Sequence, residues 1–188
     1  LFNLNYLKLC MRIFETQRLE FHTLSLAEYS EFELGREPVW NGFTNPYKHL
    51  LDGPSPIGYL VSRVKSEPDI AKIGLVLAIS KNTKEVIGSA GFKDFPDSNG
   101  MIEIGYGIVP QMQNQGLGKE LLLGMWNFIS KDPGVKILRY VVNESNGPSV
   151  HIIRKLGFTE VGQQINPEEG VEIIFDMSVK EFLRTSGL

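Results

Sequence analysis

The sequence predicts a mixed α/β (α+β) fold, an antiparallel meander followed by alternating helices and strands. Three observations carry this. Residues 74–109 hold three short apolar runs separated by polar turns. Residues 116–131 then repeat apolar residues at helical spacing, and strand-like and helix-like segments alternate from there to residue 179. At 188 residues, 42% hydrophobic and 22% charged, the chain has the composition of an ordinary globular domain with a substantial core.

Residues 18–24 (RLEFHTL) alternate as a first strand. Ser25 caps a short helix through Leu34, with Glu28 three residues on as its capping-box partner. Residues 35–58 are rich in Gly, Pro, Asn and aromatics, and read as a long loop with one helical turn. Long loops in compact domains often carry function. Residues 59–65 read as helical. The meander follows as GLVLAIS at 74–80, EVIGSAGFKDF at 85–95 and MIEIGYGIV at 101–109, with turns KNTK and PDSNG between them. In 116–131, Leu117, Leu121, Leu122, Met125, Phe128 and Ile129 share one helical face. KILRYVV at 136–142 is a strand, 148–156 a helix ended by Gly157, and 158–163 with 171–179 a closing hairpin. No linker or repeat divides residues 11–188, which read as one domain. The apolar stretch LFNLNYLKLC at 1–10 reads as an N-terminal extension before Met11.

Several function classes are disfavoured. A net charge of −3 argues against a nucleic-acid binder that works by neutralising phosphates. The lone Cys10 precludes an intrachain disulfide and fits a reducing, cytoplasmic setting. No apolar run is long enough for a membrane span. His22, His49 and His151 are scattered, and no Cys/His pair has ligand spacing, so no metal is expected.

The segment Gln113-Asn114-Gln115-Gly116-Leu117-Gly118 sits between a strand and an amphipathic helix. A Gly-rich turn opening a helix presents unpaired N–H groups at the positive end of the helix dipole, an arrangement that binds phosphate or pyrophosphate. It is not a P-loop, because Gln113 stands where the first Gly belongs and Glu120 follows Lys119. It is not a dinucleotide fingerprint, because Leu121 replaces the third Gly and the preceding strands are antiparallel.

What remains, Gln-x-x-Gly-x-Gly, resembles the pyrophosphate motif of the GNAT acyltransferases. Asn146-x-x-Ser149 with Gly157-Phe158 resembles a second signature of that superfamily. Glu103-Ile104-Gly105-Tyr106 and Thr16-Gln17-Arg18-Leu19 resemble its RimJ/RimL-like branch. The four occur in family order over about residues 13–180. The resemblance implies a central, mostly antiparallel mixed sheet of 6–7 strands, helices on both faces, and parallel fourth and fifth strands that splay to admit the cofactor. It also implies acetyl transfer from acetyl-CoA to a primary amine by direct attack in a ternary complex. Ile108 and Val109 would pair their backbone with the pantetheine arm. Gln113, Asn114, Gln115, Gly116, Gly118 and Lys119 would surround the pyrophosphate, and Asn146 would bond the pantetheine chain. Glu103 is the candidate base and Ser149 the candidate proton donor, because Ile153 stands where many members carry a tyrosine.

The acceptor implied is a peptide N-terminus or a small cationic amine, and homodimers are common in the branch. Trp40, Phe43 and Tyr47 are candidates to line the acceptor pocket, with Glu168, Glu169 and Glu172 as an acidic rim. Blander readings stand beside these. The glycines can serve a tight turn, Asn146 and Ser149 a helix cap, and Glu103 a solvated strand. A non-catalytic acyl-CoA sensor or scaffold is the rival function.

Overall fold

The computed structural model describes residues 11–52 and 56–186; the expected extension at 1–10 lies outside them. Eight strands hydrogen-bond in the order β1-β2-β3-β4-β5-β6-β8-β7. They are β1 (Met11–Glu15), β2 (Leu19–Thr23), β3 (Val76–Ser80), β4 (Val86–Phe92), β5 (Met101–Ile108), β6 (Ile137–Asn143), β7 (Thr159–Asn166) and β8 (Gly170–Ser178). The helices are α1 (Leu26–Glu33), α2 (Ile57–Ser66), α3 (Leu117–Ile129), α4 (Gly147–Lys155) and α5 (Val179–Thr185). Packing divides the chain into two compact units. One holds the described residues up to Gly91 with Tyr106–Leu122, the other Phe92–Gly105 with the described residues from Leu123 onward.

In the first unit, β2 and β3 pair antiparallel from Leu19↔Ser80 to Thr23↔Val76. Every residue of β3 is buried, as its unbroken apolar run requires. β3 pairs antiparallel with β4 from Val76↔Ala90. Helix α1 carries the expected capping box. The Ser25 amide donates to Glu28 Oε2 at 2.6 Å, and the Glu28 amide donates back to Ser25 Oγ at 3.3 Å. Between residues 35 and 52 the chain is fastened beside the start of β4 by a bridge, Thr44↔Glu85, and by the Val86 amide donating to the Thr44 carbonyl at 2.8 Å.

In the second unit, β5 and β6 are parallel, but their ladder covers only Met101↔Ile137 to Ile104↔Tyr140. β6 runs three residues further, paired antiparallel with β8 as far as Asn143↔Glu172. β7 and β8 form the closing hairpin. Trp126 of α3 is fully buried and stacks on Phe158 at 4.5 Å between centroids. Gly157 ends α4 at φ +84°, the left-handed conformation that glycine adopts most cheaply.

The sheet differs from expectation in count, with eight strands instead of 6–7. The additional strand is β1: its pairing with β2 from Met11↔Thr23 to Glu15↔Glu20 makes Thr16–Arg18 a hairpin turn, not the start of the first strand. The second meander strand stops at Phe92, short of 95, where Asp94 turns the chain by accepting from the Phe95 amide. Helix α5 was not expected. It begins at a Ser178 cap bonded to the Glu181 amide and buries Phe182.

Candidate functional site

The glycine turn is exposed from Gln113 to Gly116 and opens directly into α3. Asn114 at φ +60° and Gly116 at φ +74° both take left-handed conformations. Gly116 is there for that φ, since a Cβ on it would meet only Arg18 at 3.7 Å. Gly118 has a different reason. A Cβ there would lie 3.1 Å from the Tyr106 ring, so its absence lets α3 close onto β5. The first helical bond runs from the Glu120 amide to the Gly116 carbonyl. The amides of Leu117, Gly118 and Lys119 therefore have no intrahelical acceptor and open together at the helix start.

The turn is held from beneath by residues far away in sequence. Glu120 accepts from Thr16 Oγ1 at 2.7 Å, from the Arg18 amide at 2.7 Å and from Arg18 Nε at 2.6 Å. Burial pushes the Glu120 carboxyl up, but the Thr16 and Arg18 contacts outweigh it and hold it below the usual carboxylate value. Arg18 Nη1 also donates to the Gln115 carbonyl at 2.9 Å. Gln113 Nε2 donates to the Ile108 carbonyl at 2.9 Å.

The Val109 amide donates to the Ile87 carbonyl at 3.0 Å, and the Val109 carbonyl accepts from the Met112 amide at 2.9 Å. Alternation along an antiparallel pair then turns the Ile108 and Tyr106 amides away from β4. Of the two residues expected to offer backbone to the pantetheine arm, Ile108 has an amide on the open edge, and Val109 has its groups engaged.

On β4 itself, Ser89 Oγ lies 2.8 Å from His49 Nε2. Asn45, itself buried, fixes the His49 backbone through two side-chain bonds of 3.0 and 2.9 Å. Burial pushes the imidazole down to about 4. Of the aromatics expected to line an acceptor pocket, Trp40 and Phe43 instead pack together. Trp40 stacks on Phe43 at 5.0 Å and donates to Glu28 at 2.5 Å, and Phe43 is buried. Tyr47 donates to Glu85 at 3.2 Å. These contacts anchor the loop to α1 and β4.

Glu103, Asn146 and Ser149 lie in the second unit. Glu103 is ion-paired with Lys93 and sits level with Arg139 across the β5–β6 ladder. Arg139 is itself held by Asp176 through two bonds of 2.8 Å. Glu103 borders a cavity of about 390 Å³ that Asp94 and Asp97 also line. Asn146 caps α4, its Oδ1 accepting from the Ser149 amide at 3.2 Å. Ile153 is fully buried, so the position where many members carry a tyrosine is filled by core packing. Glu172 is not part of an acidic rim. It is buried, and its carboxylate accepts from Gln164 at 2.7 Å and Asn166 at 3.1 Å. Sequence reading missed Thr16 and Arg18 as supports of the turn, and missed His49 and Ser89, because each contact joins segments 40 or more residues apart.

Residues 18–159 match the acetyltransferase (GNAT) domain family. The uncharacterized N-acetyltransferase YoaA of Bacillus subtilis is 29% identical over 82 residues, 44% of this chain and 46% of that protein. The chain spans about half the length of the curated relatives it matches. Among solved structures, the spermidine/spermine N-acetyltransferase SpeG of Vibrio cholerae superposes with a TM-score of 0.66 at 14% identity, covering 91% of this chain and 99% of that one. RimL, a ribosomal L7/L12 alpha-N-protein acetyltransferase solved with coenzyme A, superposes at 0.63 and 14%, covering 89% and 98%. At such identities these structures speak for the fold.

Proposed function

The chain belongs to the GNAT acetyltransferase family, and on that premise we propose that it moves an acetyl group from acetyl-CoA to a primary amine. The observation that carries the proposal is the exposed 113–116 turn opening into α3, where three helix-start amides face one direction beside Lys119. Such a nest suits the pyrophosphate of CoA. The family match runs through segments of both compact units, which supports reading 11–188 as one acetyltransferase domain.

In this reading Gln113, Asn114, Gln115, Gly116, Gly118 and Lys119 receive the pyrophosphate. The backbone of Ile108 meets the pantetheine arm, and the Asn146 amide group bonds the same chain. The amine must be neutral to attack, so a base takes its proton. Glu103 is the proposed base. Glu103 is ion-paired with the Lys93 ammonium and also feels the Arg139 charge across the ladder; a substrate ammonium can take the place of the lysine in kind. Nitrogen then bonds to the acetyl carbon, the C–S bond breaks, and Ser149 is the proposed donor to the departing thiolate. The cavity at Glu103 is lined by three carboxylates, Asp94, Asp97 and Glu103, against the one ammonium of Lys93, a balance that favours a cationic acceptor, a peptide N-terminus or a small polyamine-like molecule.

Calorimetric titration with acetyl-CoA is the first test, with Gly116→Asp as the control that sets a carboxylate where phosphate is expected. Binding that the control loses supports the reading. A folded wild-type protein that binds no acetyl-CoA removes it and favours the scaffold role. Where binding holds, thiol release is followed with an N-terminal peptide and with spermidine. Glu103→Gln is expected to lower kcat by roughly 10²-fold or more, and an unchanged kcat removes Glu103 as base.

A further inference from the structure

We propose that Arg18 is a positioning residue for the cofactor, locking the 113–116 turn with its amides turned outward; the proposal rests on the acetyl-CoA reading above. A trans peptide carries its C=O and N–H on opposite sides. Arg18 Nη1 holds the Gln115 carbonyl at 2.9 Å, so the Gly116 amide of the same peptide points the other way, toward the face that α3 opens. Without that hold the peptide could flip, because its rotation turns on ψ of Gln115 and φ of Gly116, and a glycine tolerates either sign of φ.

The arginine is in turn immobilised. Its Nε meets Glu120 at 2.6 Å, its own amide meets the other oxygen of the same carboxylate at 2.7 Å, and Thr16 shares that oxygen at 2.7 Å. Glu120 lies in the first turn of the helix whose start would bind the phosphate. One carboxylate therefore ties the β1–β2 hairpin turn to α3, and the guanidinium fork reaches past it to the glycine turn. A guanidinium can do both at once because its donors are fixed in a plane, which a lysine ammonium cannot copy. The Arg18–Glu120 pair is also neutral as a whole, so it favours phosphate by fixing the shape of the turn, with little added charge.

The test measures Kd by calorimetry for acetyl-CoA and for S-acetylpantetheine, which lacks the pyrophosphate, in wild type, Arg18→Lys, Arg18→Gln and Glu120→Gln. Circular dichroism confirms folding, and Glu120→Gln, which keeps the side chain's shape but turns one acceptor oxygen into an amide donor, covers the case in which an Arg18 variant fails to fold. Positioning predicts that both Arg18 variants weaken acetyl-CoA at least tenfold, that Glu120→Gln weakens it in the same direction, and that S-acetylpantetheine changes less than twofold. Full affinity in Arg18→Lys with a salt-dependent loss in Arg18→Gln would mean direct charge attraction and overturn the proposal. Equal losses for both ligands would mean general disruption and overturn it too. Wild type that binds while the folded variants bind equally well removes the role of Arg18 alone, whereas wild type that binds nothing removes the acetyl-CoA reading with it.

Discussion

His49 is kept uncharged by its surroundings, and that has a measurable cost in acid. Its folded value is pushed down to about 4 by burial, while the unfolded chain takes up the same proton near 6.5. The sign follows directly. Above pH 6.5 both states are neutral and the group contributes no pH dependence. Between 6.5 and 4 only the unfolded state binds the proton, so stability falls, by about 3 kcal/mol in total, and levels below 4. His49→Gln keeps a partner for Ser89 without a titrating ring. Urea midpoints measured from pH 7.5 to 4 should therefore fall less steeply in the variant than in wild type, and parallel profiles would show that His49 is not the group responsible. Nothing in the local sequence announces this histidine, since its ring meets a β4 serine 40 residues on, and Asn45 close by fixes only its backbone. The glycine turn is the contrasting case. Gln113, Gly116 and Gly118 lie within one six-residue segment and were legible, although the structure gives each glycine its own cause, a left-handed φ for Gly116 and the Tyr106 ring for Gly118.

Elements were legible where periodicity and punctuation agreed. Ser25 with Glu28 marked α1, Gly157 closed α4, and the unbroken run of β3 matched its complete burial. β1 was not legible because MRIFE does not alternate cleanly, with Ile13 and Phe14 adjacent, and gains its order from pairing with β2. Helix α5 buries a single aromatic, too little for a periodic signal, yet Ser178 with Glu181 is a start signature that could have found it. A close backbone approach is equally invisible in sequence. A Cβ on Gly91 would fall 1.9 Å from the Gly74 carbonyl oxygen, and backbone cannot swing aside as a side-chain end can. Gly91→Ala should destabilise by about 3 kcal/mol. Gly105→Ala, where a Cβ meets nothing within 4 Å, should change stability by less than about 1 kcal/mol. Chemical denaturation of the two variants checks the contrast, and similar midpoints would refute it.

For the whole molecule, several ion pairs among the described residues join two solvent-exposed side chains, such as Arg36–Glu31 and Lys65–Glu33, and such pairs contribute little. Stability rests on the buried apolar side chains of β2, β3, β4 and α3. A ligand that binds only the folded state adds to this by mass action, about 2.7 kcal/mol at a hundred times its Kd. For a chain of this size that is a rise of roughly 5–10 °C in Tm. Acetyl-CoA at that excess should produce such a shift. At the same molar concentration S-acetylpantetheine should produce less, because it cannot use the amides at the start of α3. The comparison isolates the glycine turn without any mutation, so it is not open to the objection that a variant has damaged the fold. Equal shifts from the two ligands would place the binding energy along the β5 edge at Ile108. A shift from neither would leave the turn as a structural corner and its arginine clamp as a fastening between hairpin and helix.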